Sequence, residues 1–314
     1  MDMRIETVLF PQQLDAAVFE RAKYQELDFK LTNEQVADPI ITKQIQNHQA
    51  GVNTVAIGVD ILRATSVMLT ALMLGVTAIH PVSSTQQAFS QKEAITLSSL
   101  IEASPLLAGE VEGLPPKGFD LGNSPVQMMQ QAESLKGKPL VMSTTNGTVM
   151  LNALKKGFLE HQLTQAQIWI GAFLNATDLI EQIVNNPPQT LLLASSGQKG
   201  RPSLEDTGFV GYLSQRLIRQ QQKAPFVSEL FWDDATSVAM AVAEAYPTPE
   251  ALFKASRHGQ RLESLGLSED LVYCAQTDLL SGVPNFHWLG SDSGTVQGQV
   301  LKKLGAMVSE HQVG

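Results

Sequence analysis

Five acids and one arginine of this chain stand where apolar runs give way to small polar loops. Asp60 directly follows Val55–Val59, and Arg63 comes three residues later. Glu110 closes the run Leu106–Gly109. Asp120 lies in the Gly/Pro-rich stretch Phe119–Pro125, beside Asn123 and Ser124. Glu205 and Asp206 follow Ser203, a few residues after the loop Ser195-Ser196-Gly197. Carboxylates in such places suit a hard divalent cation with oxygen ligands. A loop of small polar residues opening a helix suits an anion, because backbone N–H groups and the positive dipole end point at it.

Each of these residues also has a plainer reading. Asp60 needs a partner if buried, since an unpaired interior carboxylate is costly; that partner is either a cation or Arg63. Arg63 can clamp a phosphate or sulfonate in two-pronged fashion, or pair with a carboxylate. Thr144-Thr145-Asn146-Gly147-Thr148 offers hydroxyls, an amide and a glycine ahead of a helix. It lacks the Gly-Lys-Ser/Thr ending of a P-loop, and reads as a phosphate cradle or as an ordinary capped helix start. Ser203–Asp206 reads as a capped helix start whose acids favour the dipole, or as a Mg²⁺ contact. His258, beside Arg257, is a candidate proton donor or anion contact, or a surface residue. Leu62 stands two residues after Asp60, where a phospho-aspartate mechanism of the haloacid-dehalogenase kind has a second aspartate.

The elements that must position these groups alternate between strand and helix. Strands are expected at Met3–Phe10, Val55–Val59, Ala78–Val82, Leu140–Met142, Ile168–Phe173, Thr190–Ala194 and Leu271–Ala275, and Leu106–Glu110 is a short apolar run ending in Gly and Glu. Helices are expected at 14–24, 64–74, 84–100, from Pro125, 148–156, 176–184, 205–219, 235–245 and 249–265, with helical potential from Val296 to Val308. Ala64, Val67, Met68, Ala71 and Leu72 recur at helical spacing, and Gly75 is a plausible stop. The alternation predicts an α/β protein, layered α/β/α, with a largely parallel or mixed sheet in one unit or two lobes. Three regions are expected: an N-terminal strand and polar excursion over 1–50, the α/β region over 51–289, and a tail over 290–314.

Composition narrows the classes. The 314 residues are 43% hydrophobic and 17% charged, which is globular composition. A net charge of −9 argues against nucleic acid and anionic membrane as partners. The single cysteine, Cys274, excludes an intrachain disulfide and a cysteine zinc cluster, and reads as a small buried apolar side chain. No signal-peptide pattern opens the chain, so a cytoplasmic protein is expected. The partner expected is a small anionic phosphorylated molecule, with a homodimer left open.

Taken together, several stretches resemble the 2-phosphosulfolactate phosphatase family of coenzyme M biosynthesis. They are Val59–Thr65, Ala108–Glu110, Gly118–Pro125, Thr144–Thr148, Gly171–Ala176, Ser203–Asp206, and a block from His258-Gly259 through Glu269-Asp270-Leu271 to Cys274. Each motif is weak alone; their order and combination are specific, over roughly residues 52–285. The resemblance implies a Mg²⁺-dependent hydrolase that removes phosphate from 2-phospho-3-sulfolactate, on an α/β fold of its own kind. The chain departs from the family pattern at Val111-Glu112-Gly113, where an arginine and glycines usually follow the Gly-Glu pair.

The resemblance makes Asp60, Arg63, Glu110 and Asp206 the expected catalytic residues. The metal ligands are expected among Asp60, Glu110, Asp120, Glu205 and Asp206. Substrate is expected at Thr145, Asn146, Gly147, Thr148, Asn123, Ser124, Ser196, Gly197 and Arg257, with Lys199 and Arg201 toward its non-phosphate end. Two rivals remain: a phosphatase for another small anionic ester, and an anion-binding module that has lost the chemistry.

Overall fold

The computed structural model describes residues 1–13, 53–98, 103–288 and 294–303. Its framework is a ten-stranded mixed sheet. The strands in chain order are β1 (Met3–Val8), β2 (Thr54–Val59), β3 (Ile79–Val82), β4 (Leu106–Gly109), β5 (Leu140–Ser143), β6 (Gln167–Gly171), β7 (Thr190–Ser195), β8 (Leu230–Trp232), β9 (Leu280–Ser281), β10 (Asn285–His287), β11 (Thr295–Gln297) and β12 (Leu301–Lys302). The large sheet runs β4-β5-β3-β11-β10-β6-β2-β7-β1-β8, and β9 pairs β12 separately. Helices between the strands complete a layered α/β/α fold.

Two parallel blocks make up the sheet. In one, β6, β2, β7, β1 and β8 are parallel neighbours; in the other, β4, β5 and β3 are. The antiparallel hairpin β10–β11 is inserted between them, bonded to β6 on one side and β3 on the other. Three antiparallel contacts in a row reverse the sense of the second block relative to the first. Strand twist of about 20–25° per step accumulates over the five steps from β2 to β5 and turns one block far across the other. The carboxyl ends of β2 and β7 consequently meet those of β4 and β5.

The core follows from the sequence. Every residue of β2, β5 and β7 is buried, as parallel strands covered on both faces require. Helix Ala64–Met73, after β2, is buried from Ala64 to Leu72. Gly75, at φ +89°, ends that helix as expected. Ser84 and Ser124 cap the helices Thr85–Leu97 and Pro125–Gln130, accepting from Gln87 N and Gln127 N.

Several expectations need correction. Leu271–Ala275 is not a strand: Ser268–Cys274 is a helix, which places Asp270 and Cys274 on one buried face, four residues apart. The helix expected from Val296 is, over its described part, the strands β11 and β12. β8 and β10 are three-residue strands too short to leave a periodic signature. β1 lies between β7 and β8 and β11 lies between β3 and β10, so the terminal segments drawn apart from the central region both supply strands to its sheet. The helix expected at 14–24 lies outside the described residues.

Candidate functional site

Asp60 begins the turn between β2 and helix Ala64–Met73. Its Oδ1 accepts the Ala64 N–H at 3.2 Å, and its backbone is clasped by Thr65, whose hydroxyl accepts from Asp60 N and donates to Asp60 O. Asp206, in the first turn of helix Leu204–Lys223, reaches the same place from the next strand. Its Oδ1 accepts the Ile61 N–H at 2.9 Å. Its Oδ2 accepts the Gly197 N–H and the Ser196 hydroxyl, both at 3.1 Å. Both carboxylates are only 6% and 2% exposed.

The other block closes on this pair. A Cβ on Gly147 would sit 2.7 Å from Asp60 Oδ2 and 2.6 Å from Ala64 Cβ. Only glycine permits helix Gly147–Glu160 to begin against Asp60, with its N-terminal dipole end turned toward that carboxylate. Glu110 fixes the loops beside it: Oε1 accepts Thr145 N at 2.8 Å and Oε2 accepts Gly113 N at 2.7 Å. Asn146 Oδ1 accepts the Lys199 N–H at 3.3 Å, joining the loop after β5 to the loop after β7.

Above these groups lies a cleft of about 620 Å³. Glu110, Glu112, Thr145 and Asn146 line it, with Lys199, Arg201, Arg257, His258 and Arg261. His258 Nδ1 lies 3.3 Å from Glu205 Oε1, and Glu205 is almost fully buried. Burial works against the imidazolium, but the hydrogen bond and charge of Glu205, with the charge of Asp60, outweigh it and lift His258 above its ordinary pKa. Burial raises the pKa of Asp60, against the charge of His258 and the bonds from Ala64 and Ser196. Asp206 is raised well above the usual range, by burial first and then by the negative charges of Asp60 and Glu205. The site therefore buries two carboxyl groups, whose ionised forms burial disfavours, under a cationic rim.

Other expected residues do different work. Arg63 is turned away from an anion clamp: Nη1 donates to Asp270 Oδ2 at 2.6 Å and Nη2 to Gly113 O at 3.1 Å, while its buried Nε has no hydrogen-bond partner among the described residues. The plainer reading of Arg63, a carboxylate partner, is the arrangement seen. Ser124 caps a helix and donates to Asp270 Oδ1 at 2.6 Å. Asn123 is buried beside it, its Oδ1 without a hydrogen-bond partner among the described residues. Thr148 bonds reciprocally with Thr144 at the helix start, so its hydroxyl is engaged there. Asp120 is not among the residues lining the cleft. Its Oδ2 accepts Leu107 N at 2.7 Å and Lys92 Nζ at 3.2 Å, tying its loop to the edge strand β4. Cys274 is buried, and burial pushes its thiol up to about 12.

The expected metal ligands are thus not gathered as a set. Among the described residues no three His, Cys, Asp or Glu side chains are close enough to hold one ion together. Asp60, Asp206, Glu205 and Glu110 are each near the cleft, but Glu205 serves His258 and both oxygens of Glu110 accept backbone N–H groups. Three cleft or near-cleft residues were given no role from sequence: Glu112, Arg261 and Asp270. Arg257 and Arg261 are four apart in one helix, Arg257–Ser264, a spacing that puts both on one face. That signal was available; the tertiary partners of Glu112 and Asp270 left none.

Comparison with known proteins gives one consistent result. A sequence model of the 2-phosphosulpholactate phosphatase family matches residues 40–287. A protein of Carboxydothermus hydrogenoformans named probable 2-phosphosulfolactate phosphatase is 36% identical over 228 residues, 73% of this chain and 84% of its own. One of the same name from Clostridium perfringens is 32% identical over 267 residues, 85% of this chain and 99% of its own. Another from Thermosynechococcus vestitus is 37% identical over 230 residues, 73% of this chain and 87% of its own.

Proposed function

The chain belongs to the 2-phosphosulfolactate phosphatase family and is a phosphatase, and on that premise we propose that it hydrolyses 2-phospho-3-sulfolactate with the help of Mg²⁺ in the cleft above Asp60. The observation that carries this reading is charge. In a chain of net charge −9, four cationic side chains, Lys199, Arg201, Arg257 and Arg261, line one cleft. A substrate bearing phosphate, sulfonate and carboxylate has the complementary charge.

The residues present fit a magnesium ion. Asp60 and Asp206 are buried carboxyl groups with raised pKa values, Asp60 through burial and then the charge of Glu110, Asp206 through burial and then the charges of Asp60 and Glu205, a cost that a cation offsets. Mg²⁺ is commonly held by one or two carboxylates with waters completing its shell, a number that Asp60 and Asp206 can supply. Asp60 would hold it, with Asp206 and Glu110 behind. When bound, such an ion polarises a phosphoryl oxygen and orients attacking water.

The chain's own groups supply the rest. The start of helix Gly147–Glu160, with Thr145 and Asn146, cradles the phosphoryl oxygens. Lys199, Arg201, Arg257 and Arg261 receive the anionic groups at the other end. His258, held by Glu205, whose hydrogen bond and charge favour the imidazolium, donates a proton to the leaving oxygen. A test is Mg²⁺-dependent phosphate release from 2-phosphosulfolactate and from 2-phospholactate. One added charge-assisted contact predicts a preference of about tenfold in kcat/KM for the sulfonated ester. Equal rates would sink the substrate, and indifference to chelator would sink the ion.

A further inference from the structure

Two turns meet tip to tip over the cleft. In the first, Val111 and Leu114 exchange backbone hydrogen bonds at 2.9 and 3.2 Å around Glu112-Gly113, with φ of 56° and 92°. In the second, Gln198 and Arg201 exchange bonds at 2.7 and 3.1 Å around Lys199-Gly200, with φ of 50° and 76°. Positive φ at both central residues is the type I′ pattern. One turn follows β4 and the other β7, so they come from the two opposed blocks of the sheet. Glu112 and Lys199 hold the same position in their turns, and Glu112 Oε1 lies 3.4 Å from Lys199 Nζ.

Both are bulky residues in a conformation that favours glycine or asparagine. Among the described residues only four non-glycine positions have positive φ, and these are two of them. Backbone held this way at the mouth of a cleft is a reason to look for function. The Lys199 N–H bond to Asn146 keeps its turn over the phosphate cradle. Of the two acids lining the cleft, Glu110 is bound by two backbone N–H groups, whereas Glu112 is 73% exposed and pairs with Lys199. An exposed pair of this kind is weak, so an incoming anion can displace it.

We propose that Lys199 receives the substrate's second anionic group, and that Glu112 occupies that place on Lys199 until substrate arrives. Glu112 is then an internal competitor that sets how strongly the enzyme favours phosphate esters with an anionic tail. This rests on the reading of the cleft as the phosphatase site.

The test compares KM for 2-phosphosulfolactate with KM for isopropyl phosphate, which has no anionic tail, in wild type, Glu112→Gln, Lys199→Met and the double variant. Glu112→Gln should lower the ratio of tailed to tail-less KM about three- to fivefold, the size of an exposed pair. The shift should vanish in the Lys199→Met background and at about 1 M KCl, where exposed charges are screened. An unchanged ratio overturns the proposal, as does a shift that persists without Lys199. If wild type releases no phosphate from 2-phosphosulfolactate, the substrate reading falls instead. The competitor is then decided by the same criteria with 2-phospholactate as the tailed ester.

Discussion

Two buried charge clusters lie side by side under the cleft and are built on opposite plans. Asp270 and Arg63 are 1% and 2% exposed and neutralise each other at 2.6 Å, with Ser124 taking the second carboxylate oxygen. Asp60 and Asp206 are as deeply placed, but like-charged, and held by backbone N–H groups and hydroxyls. A compensated pair fixes structure: it ties helix Ser268–Cys274 to the turn after β2 and, through Gly113 O, to the loop after β4. A buried acidic pair whose raised pKa values the charge of His258 does not cancel is a standing cost that folding alone gives no reason to keep. Buried groups with strongly perturbed titration in a cleft mark function for this reason. Burial alone does not distinguish the two; the sign of the nearest charge does.

The largest effect expected is on stability, from breaking the compensated pair. Asp270→Ala strands a buried guanidinium and should cost about 3–5 kcal/mol in urea unfolding. Arg63→Ala should cost a comparable amount, since Asp270 keeps the Ser124 hydroxyl and the Val126 N–H but loses its counter-charge. Replacing both residues with apolar side chains of similar size should cost less than either single change. A loss below about 1 kcal/mol for Asp270→Ala would remove the contrast.

The acidic pair should respond the other way. Asp60→Asn keeps the shape, removes one buried charge, and should lower phosphate release about 10²–10³-fold. Without added metal its melting temperature should equal or exceed that of wild type, the usual direction when a functional charge is removed. Added Mg²⁺ should raise the melting temperature of wild type and leave that of Asp60→Asn nearly unchanged, because an ion stabilises only the state that binds it. If Asp60→Asn unfolds as readily as Asp270→Ala, both clusters are structural and the comparison collapses.

How much of this was legible depended on where each residue's partner lies in the chain. β2, β5 and β7 read clearly because strands covered on both faces are continuous apolar runs. Asp60, Glu110, Thr145, Asn146 and Asp206 were placed near the cleft because strand ends in a parallel sheet are where ligands sit. The hairpin β10–β11 left no trace: three-residue strands have no measurable period, yet they decide how the two blocks face each other. Ser268–Cys274 misled because Leu271, Val272 and Tyr273 favour strand locally, while the anchoring of Asp270 to Arg63, more than two hundred residues away, is satisfied on a helix. Arg63 itself was ambiguous for the same reason, its carboxylate partner being invisible at that range.

The smallest effect expected belongs to an acid outside both clusters. Asp120 sits in the same kind of Gly/Pro loop that made it a ligand candidate, and sequence alone gave no reason to treat it apart from Glu110. Its side chain is 40% exposed, bonds Leu107 N and Lys92, and is not among the cleft-lining residues. Water screens the Lys92 contact, so Asp120→Asn should lose on the order of 1 kcal/mol or less, most of it from weakening the bond to Leu107 N. Its phosphate release, and the Mg²⁺ concentration giving half-maximal rate, should stay within about twofold of wild type, the spread expected of surface substitutions away from a site. A tenfold rise in that Mg²⁺ concentration would put Asp120 back among the cation's ligands. It would require the loop Phe119–Pro125 to turn inward on binding, and would extend the charged region under the cleft as far as the edge strand β4.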